Sequence, residues 1–290
     1  MIDANLVKNL REISGAGILD CKKALEACNG DIEASMDWLR EKGFATAGKK
    51  ESRIAAEGLA NIYIEGNKAV IVELNSETDF VSKNEEFKDM IDTFGNTILK
   101  SNVKSMEEAL ELKCDEGTLN DLIVAKTAKI GEKLSFRRFE VINKNEDEVF
   151  GTYLHMGGKI AVLTVLKNTS EDVAKDISMQ AAAMKPQYLA VEDVPGDIID
   201  EMKESFKKEA INEGKPTDIA EKMVEGKLKK YFKEICLTLQ PFIKQDDIDV
   251  LTYVTNNGGS ITQMARYEVG EGMEKRHEDF ATEVMNQINN

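Results

Sequence analysis

The sequence lacks several features that define common protein classes. No apolar run approaches the ~18 residues of a membrane-spanning helix, so we expect no membrane segment. The N-terminal stretch is charged and amphipathic rather than apolar, which argues against a secretory signal. Only four cysteines occur in 290 residues, with no CxxC pair and no histidine at metal-ligand spacing. We therefore predict neither a disulfide framework nor a zinc site, and the cytoplasm is the expected compartment.

The sequence has no excess of basic charge, and aromatic side chains are few. The formal net charge is −15, and aromatic residues make up 6% of the chain. A protein whose main ligand is nucleic acid needs basic and aromatic surface to neutralise phosphates and to stack on bases. We therefore expect no nucleic-acid ligand and a partner that is another protein. The composition, 42% hydrophobic and 31% charged, is sufficient for a buried core in two or three domains.

The first 45 residues have the pattern of three short helices separated by glycines. Asp31 is placed to cap the third helix, which we expect to end at Gly43. Two apolar stripes at helical spacing comprise Leu6, Val7, Leu10 and Ile13, and then Ile18, Ala24, Leu25 and Cys28. We predict a three-helix module over residues 1–45, followed over residues 46–58 by a linker of small and basic residues.

The rest of the chain has the pattern of a β-hairpin followed by helices, and this pattern occurs twice. The runs LANIYIE and AVIVELN flank a turn at residues 66–68, and a helix with Phe87, Met90, Ile91, Phe94 and Ile98 on one face follows. EGNKAVIVEL at residues 65–74 aligns with MGGKIAVLTV at residues 156–165. The fold class is therefore predicted to be α+β, with two related hairpin-plus-helices subdomains at residues 59–142 and 143–290.

Two helical features are predicted inside the second subdomain. Residues 196–236 have the pattern of two long helices separated by EGKPTD, which indicates an inserted antiparallel helical hairpin. A helix is also expected around Ile248–Val254, and a strand through Met264–Val269. The C-terminal helical module covers about residues 275–290, with a final helix from Glu278 to Ile288.

Histidines and cysteines, which often carry acid–base or nucleophilic catalysis, are few. The only histidines are His155 and His277, and no triad pattern is present. The stretch GFATAGKK at residues 43–50 matches the GxxxxGK pattern of a phosphate loop, but Lys50 stands where magnesium needs a Ser or Thr. It also follows a helix instead of a strand, so we interpret it as the start of the basic linker. We predict no enzyme activity, no catalytic residue, no bound metal and no cofactor.

Two long motifs resemble a known family. VELNSETDFVSKNEEF at residues 72–87 contains an Asn-x-x-Thr-Asp-Phe-Val turn between a strand and a helix. The opening VKNLREISGAGILDCKKALEACNGDIEAS is similar to the ubiquitin-associated-like module of the same family. Further similar segments are GTYLHMGGKIAVL, MKPQYL, AEKMVEGKLKKYFKEICLTLQPF and RYEVGEGMEK. With these motifs in order along essentially the whole chain, the sequence is identified as a member of the elongation factor Ts family.

The resemblance implies a function and a set of contact residues. It implies a guanine nucleotide exchange factor that binds the elongation GTPase EF-Tu and promotes GDP release, without binding nucleotide itself. It places Phe80 in a pocket of EF-Tu beside the nucleotide, where the magnesium site is disturbed. A homodimer through the core or the helical hairpin is possible. The implied partner-binding residues are Thr78, Asp79, Phe80 and Val81 in the core, Arg11, Ile18 and Leu19 in the N-terminal module, and His155 in the second hairpin.

The residues by themselves leave alternatives open. Phe80 could pack into its own core, with Thr78 or Asp79 acting only as a helix cap. Ile18 and Leu19 fit a core position as well as a contact surface, Arg11 could be an ordinary surface charge, and His155 an ordinary turn neighbour. At the level of function, the alternatives are an interaction adaptor whose N-terminal module binds another protein, and an enzyme that uses dispersed carboxylates.

Overall fold

The computed structural model describes residues 2–214 and 216–274. These residues form two compact units. The first unit contains the described residues of 1–65, 69–141 and 267–290, and the second contains residues 66–68 and 142–266. The predicted domain boundaries at residues 45, 58 and 142 stay predictions, because compactness alone does not show which segments fold independently. Among the described residues, no helix combines the length and the apolar character that crossing a bilayer requires.

The N-terminal module consists of three helices, as predicted. They are α1 (Ala4–Ser14), α2 (Ile18–Ala27) and α3 (Ile32–Gly48). Asp31 caps α3, because its carboxylate accepts a hydrogen bond from the Ala34 N–H at 3.0 Å. Gly15 ends α1 in the left-handed conformation, with a φ of 65°. The small core of the module consists of the fully buried residues Leu10, Cys21, Ala24 and Leu25.

The third helix is longer than predicted, because it passes through Gly43 and ends at Gly48. Gly43 is buried, and a Cβ built on it would lie 3.4 Å from Val124 Cγ1. The glycine therefore permits a close approach between α3 and a second helix instead of ending α3. It also follows that most of the GxxxxGK stretch is helical, so this stretch cannot form the loop that cradles a phosphate.

The first unit continues with a three-stranded sheet covered by helices. Its elements are β1 (Glu57–Glu65), β2 (Lys68–Ser76), α4 (Asp79–Ser82), α5 (Glu85–Leu99), α6 (Met106–Leu110), β3 (Lys113–Cys114), β4 (Gly117–Thr118), α7 (Leu119–Ile130) and β5 (Ser135–Asn143). The strand order is β1-β2-β5, and β3 pairs with β4 in a separate ribbon. The predicted apolar face of α5 is confirmed, since Phe87, Met90, Ile91, Phe94 and Ile98 are all buried.

Gly95 of α5 lies where this helix crosses Tyr63 of β1. A Cβ at Gly95 would lie 1.9 Å from Tyr63 Cε2, and the Tyr63 hydroxyl is fixed by a 2.6 Å hydrogen bond to Asp92. We predict that Gly95→Ala lowers the free energy of unfolding by about 1–3 kcal/mol, because overpacking a dense core displaces side chains and backbone. Urea unfolding followed by circular dichroism measures this change.

Gly226 provides the matched control, because it also lies within a helix but a Cβ built on it has no atom within 4 Å. Gly226→Ala should raise the free energy of unfolding by about 0.5–1 kcal/mol, because helices ordinarily prefer alanine to glycine. Stabilisation by both substitutions would contradict the close packing between α5 and β1.

The second unit repeats the arrangement with an insertion. Its elements are β6 (Glu148–His155), β7 (Ile160–Lys167), α8 (Glu171–Met184), α9 (Gly196–Asn212), α10 (Thr217–Ile235), β8 (Pro241–Phe242), β9 (Gln245–Asp249), α11 (Val250–Asn256) and β10 (Ser260–Glu268). The strands β6 and β7 are antiparallel, with Glu148 opposite Lys167 and His155 opposite Ile160. The sheet order is β10-β7-β6. In both sheets the second strand of the hairpin is central, which supports the predicted relation between the subdomains.

The helices α9 and α10 pack against each other as the predicted helical hairpin. At its base, Val194, Ile235 and Cys236 are buried together. Lys215, between the helices, lies outside the described residues. The predicted helix around Ile248 begins instead at Val250, because Asp249 caps it by accepting a 2.7 Å hydrogen bond from the Thr252 N–H. The predicted C-terminal module at residues 275–290 lies outside the described residues.

Candidate partner-binding site

A sharp strand-to-helix turn exposes Phe80. The strand β2 ends at Ser76 and α4 begins at Asp79, so the chain changes direction within two residues. Phe80 is 81% exposed, the highest value among the large hydrophobic side chains of the described residues. Val81 points the other way and packs against the core of the first unit, as expected because successive helical residues face different directions. The alternative in which Phe80 belongs to its own core is therefore wrong, whereas its contact with a partner stays a prediction.

Hydrogen bonds hold this turn from the inside. The buried Ser76 hydroxyl donates to the Thr78 carbonyl at 2.9 Å, and the Ser82 hydroxyl donates to the Asp79 carbonyl at 2.9 Å. The Asp79 carboxylate pairs with Lys83 Nζ at 2.6 Å. Just before the turn, the buried Asn75 side-chain amide donates to the Glu57 carbonyl of β1 at 3.0 Å. The backbone that carries Phe80 is thus tied to the sheet and to α4 within the chain itself.

Thr78 does not cap α4 with its side chain, although it occupies the N-cap position. Its hydroxyl donates instead to Glu132 Oε1 at 2.7 Å, and its backbone N–H donates to Glu132 Oε2 at 3.0 Å. The capping alternative for Thr78 is therefore wrong, because the acceptor is a carboxylate 54 residues away along the chain. No local pattern in the sequence indicated Glu132.

The N-terminal module exposes a second group of predicted contact residues. Ile18 and Leu19, in the first turn of α2, are 52% and 71% exposed, and Arg11 is also exposed. The sequence pattern placed Ile18 in the apolar stripe of its helix, which is wrong, since the buried face of α2 consists of Cys21, Ala24 and Leu25. The core alternative for Ile18 and Leu19 is excluded for the same reason. Their contact with a partner stays a prediction.

Polar contacts join the module to α7 within the first unit. Arg40 of α3 forms a hydrogen-bonded ion pair with the nearly buried carboxylate of Asp121. This hydrogen bond holds the pKa of Asp121 below its ordinary value, so the pair stays charged at neutral pH. Just after α3, Lys50 Nζ donates to the Gly131 carbonyl. The module and the Phe80 turn both belong to the first unit.

His155 lies in the second unit, at the exposed end of β6. Its Nδ1 lies 3.3 Å from the Tyr153 hydroxyl, and the two rings stack with centroids 6.0 Å apart. Met156, the next residue, is 73% exposed and adopts a left-handed φ of 49°. His155 thus belongs to an exposed, partly apolar hairpin end, and its proposed role as a contact residue stays a prediction.

Metal-ligand geometry and two thiol groups bear on the chemistry available to the described residues. Within them, no group of three or more His, Cys, Asp or Glu side chains has the arrangement needed to hold a metal ion. Burial raises the pKa of the Cys236 thiol to about 11 and also raises that of Cys114. Both thiols are therefore protonated at neutral pH and poor nucleophiles. His277 lies outside the described residues.

Comparison with known proteins gives a consistent result. The sequence model of the family described as "Elongation factor TS" matches residues 77–271. Two relatives described as "Elongation factor Ts" come from Limosilactobacillus reuteri (strain DSM 20016) and Limosilactobacillus reuteri subsp. reuteri (strain JCM 1112). Each is 50% identical to this chain over 288 residues, which covers 99% of this chain and 99% of the relative.

The α+β fold, the three-helix module and these similarities together define a translation elongation factor, a class that acts in protein biosynthesis. More narrowly, the family match and the identity over nearly the full length show that the chain belongs to the elongation factor Ts family.

Proposed function

We propose that this chain is a guanine nucleotide exchange factor for EF-Tu. It binds EF-Tu loaded with GDP, disturbs the magnesium and phosphate site, and releases GDP so that GTP binds during translation elongation. Membership of the elongation factor Ts family and the elongation-factor names of the relatives support this proposal. The compartment would be the cytoplasm, where this step of translation takes place.

The observation that carries the proposal is the exposure of Phe80 on a hydrogen-bonded turn. A large aromatic side chain left in water contributes little to the stability of its own chain, but it gains free energy when a partner covers it. Burial of one Phe side chain contributes about 1.5–3 kcal/mol. If this energy is coupled fully to movement of the GTPase loops, GDP binding weakens about 10- to 100-fold.

In the proposed mechanism, Phe80 enters a pocket between helices of EF-Tu beside the nucleotide. Magnesium requires near-octahedral oxygen ligands and bridges the GTPase to the phosphates, so small loop movements weaken nucleotide binding sharply. Thr78, Asp79 and Val81 would set the direction of Phe80. Coupling of this kind is reciprocal, because a factor that lowers GDP affinity must itself bind more weakly to the GDP form, by the same ratio.

The other predicted contact residues would supply affinity rather than loop movement. Arg11, Ile18 and Leu19 offer a charged and apolar surface on the N-terminal module, and His155 offers a contact in the second hairpin. The chain would make and break no covalent bond in this role and would need no cofactor or bound nucleotide of its own. Its net charge of −15 fits a protein partner better than nucleic acid. A homodimer through the core or the helical hairpin remains a prediction.

The direct test is the release of a fluorescent GDP analogue from EF-Tu in the presence of excess GTP. We expect this chain to accelerate release at about one-tenth of the EF-Tu concentration, because an exchange factor leaves unchanged and acts repeatedly. Serum albumin at equal mass serves as the inert control. An adaptor or an enzyme that uses dispersed carboxylates would leave the release rate at its spontaneous value, and that result would refute the proposal.

A further inference from the structure

Two turns of the first unit exchange hydrogen bonds through a pair of glutamates. Glu132 accepts from the Thr78 backbone N–H at 3.0 Å and from the Thr78 hydroxyl at 2.7 Å. In the opposite direction, Glu77 accepts from the Lys133 backbone N–H at 2.6 Å. We call this arrangement the glutamate clamp. It joins residues 77–78, just before α4, to residues 132–133, between α7 and β5.

The hydrogen bonds of the glutamate clamp restrain the position of Thr78 strongly. Hydrogen bonds to a carboxylate are about twice as strong as those between neutral groups. Glu132 uses both of its oxygens on the same residue, so Thr78 can neither rotate nor shift without losing a bond. Glu77 is 8% exposed and is also paired with Arg53 Nη1 at 3.2 Å, which offsets the cost of burying its charge.

The turn that carries Glu132 is itself anchored. Lys50 Nζ donates to the Gly131 carbonyl on one side of Glu132, and Lys133 Nζ donates to the Glu51 carbonyl on the other. By contrast, α4 contains only four residues. So short a helix does not maintain its own geometry in water, and the direction of Phe80 therefore depends on what holds the residues before it.

We propose that Glu132 is a positioning residue for nucleotide exchange, which fixes Thr78 and thereby directs Phe80 toward the partner. This inference rests on the proposed function, because Phe80 acts only if the chain is an exchange factor. Glu132 is not expected to touch the GTPase nucleotide. Its effect is on the orientation of a side chain two residues beyond the one that it binds.

Two conservative substitutions separate geometry from charge. Glu132→Gln keeps the length and shape of the side chain, so that its carbonyl accepts from the Thr78 N–H and its amide donates to the Thr78 hydroxyl. Glu132→Asp keeps the charge but withdraws the carboxylate by one methylene. We measure GDP release at a saturating concentration of each variant. We expect the Glu132→Gln variant to keep the maximal rate within about threefold, and the maximal rate of the Glu132→Asp variant to fall about tenfold or more. The reason is that a small misplacement of the acting side chain, here Phe80, has a large effect on rate.

The controls use the same assay. Glu108→Asp, at an exposed glutamate whose Oε2 accepts from the Lys104 N–H at 2.9 Å, should leave the rate unchanged. In the Phe80→Ala background, Glu132→Asp should cause no further loss, because Glu132 acts through Phe80. An additive loss, or a Gln variant slower than the Asp variant, overturns the inference.

Hydrogen exchange of the Thr78 amide gives a readout that does not depend on EF-Tu. This amide should exchange about tenfold faster in the free Glu132→Asp variant than in the wild type or in Glu132→Gln, since its acceptor is displaced. If the wild-type chain does not accelerate GDP release, the proposed function fails. The amide measurement then still decides whether Glu132 holds the turn, and equal exchange in all three proteins overturns that claim.

Discussion

Replacing Phe80 with alanine should lower the maximal rate of GDP release from EF-Tu by about 10- to 100-fold. The side chain is 81% exposed in the free protein, so in the proposed role its removal would delete contacts that form only with EF-Tu. The free energy of unfolding of the free chain should change by no more than about 0.5 kcal/mol, as is usual for surface positions. Stopped-flow fluorescence gives the rate, and urea unfolding gives the stability.

Ile64→Ala is the matched control for this prediction. Ile64 is also an exposed large hydrophobic side chain of the first unit, at 46%, but it lies near the end of β1 rather than on the Phe80 turn. Its substitution should leave the release rate within about twofold of the wild type. Equal losses for the two variants would mean that exposed apolar surface in general, rather than the ring of Phe80, drives exchange. A large loss of stability in Phe80→Ala would likewise contradict its placement.

Replacing Glu73 with alanine should lower the free energy of unfolding by about 3–5 kcal/mol, the usual effect of removing one partner from a buried ion pair. Glu73 is fully buried in β2. Its carboxylate accepts from Arg137 Nη1 at 2.9 Å and from Arg138 Nε at 2.6 Å, both on β5. It also accepts from the Gly270 N–H at 2.9 Å. Without the carboxylate, two guanidinium groups and a backbone N–H lose their shared acceptor.

Two further variants test this interpretation of Glu73. Glu73→Gln keeps the shape and one carbonyl acceptor, so its loss of stability should be clearly smaller than that of the alanine variant. Glu85→Ala removes an acid that is 80% exposed and paired with Lys88 on the surface of α5, and should change stability by less than about 1 kcal/mol. Urea unfolding measures the stability of all three variants, Glu73→Ala, Glu73→Gln and Glu85→Ala. A Glu73→Ala protein as stable as Glu85→Ala would show that the buried charges are dispensable.

The Glu73 contacts also explain a motif that the sequence pattern left without a role. The segment RYEVGEGMEK, at residues 266–275, resembles a family motif, but it contains no obvious helix or site pattern. In the structure, Gly270 binds Glu73 and adopts a left-handed φ of 72°, and a Cβ there would lie 2.2 Å from the Ala56 carbonyl oxygen. The Arg138 guanidinium also stacks over the Tyr267 ring, 4.1 Å from its centroid. Tyr267 and Gly270 of this motif therefore have a structural role within the first unit.

Local patterns in the sequence determined much of this protein. Helical spacing identified the buried face of α5, side-chain caps identified the start of α3, and turn residues identified the hairpin of β1 and β2. The Thr-Asp-Phe-Val motif identified a turn between a strand and a helix and, by resemblance, the family, whereas the exposure of Phe80 stayed open. These features depend on residues within about one turn or one hairpin of each other, and such interactions are the ones that a sequence pattern records.

Only the tertiary structure decided which side chains face a neighbour and which face water. Gly43 lies inside a helix and faces Val124 of α7 closely, and Ile18 is exposed because the three-helix core is complete without it. The partners of Thr78 and Glu73 lie 54 and 197 residues away along the chain, at Glu132 and Gly270. Periodicity shows that a residue belongs to a face or a turn, but packing between distant segments selects its partner. For that reason the sequence located Phe80, whereas the fold showed what holds it in place.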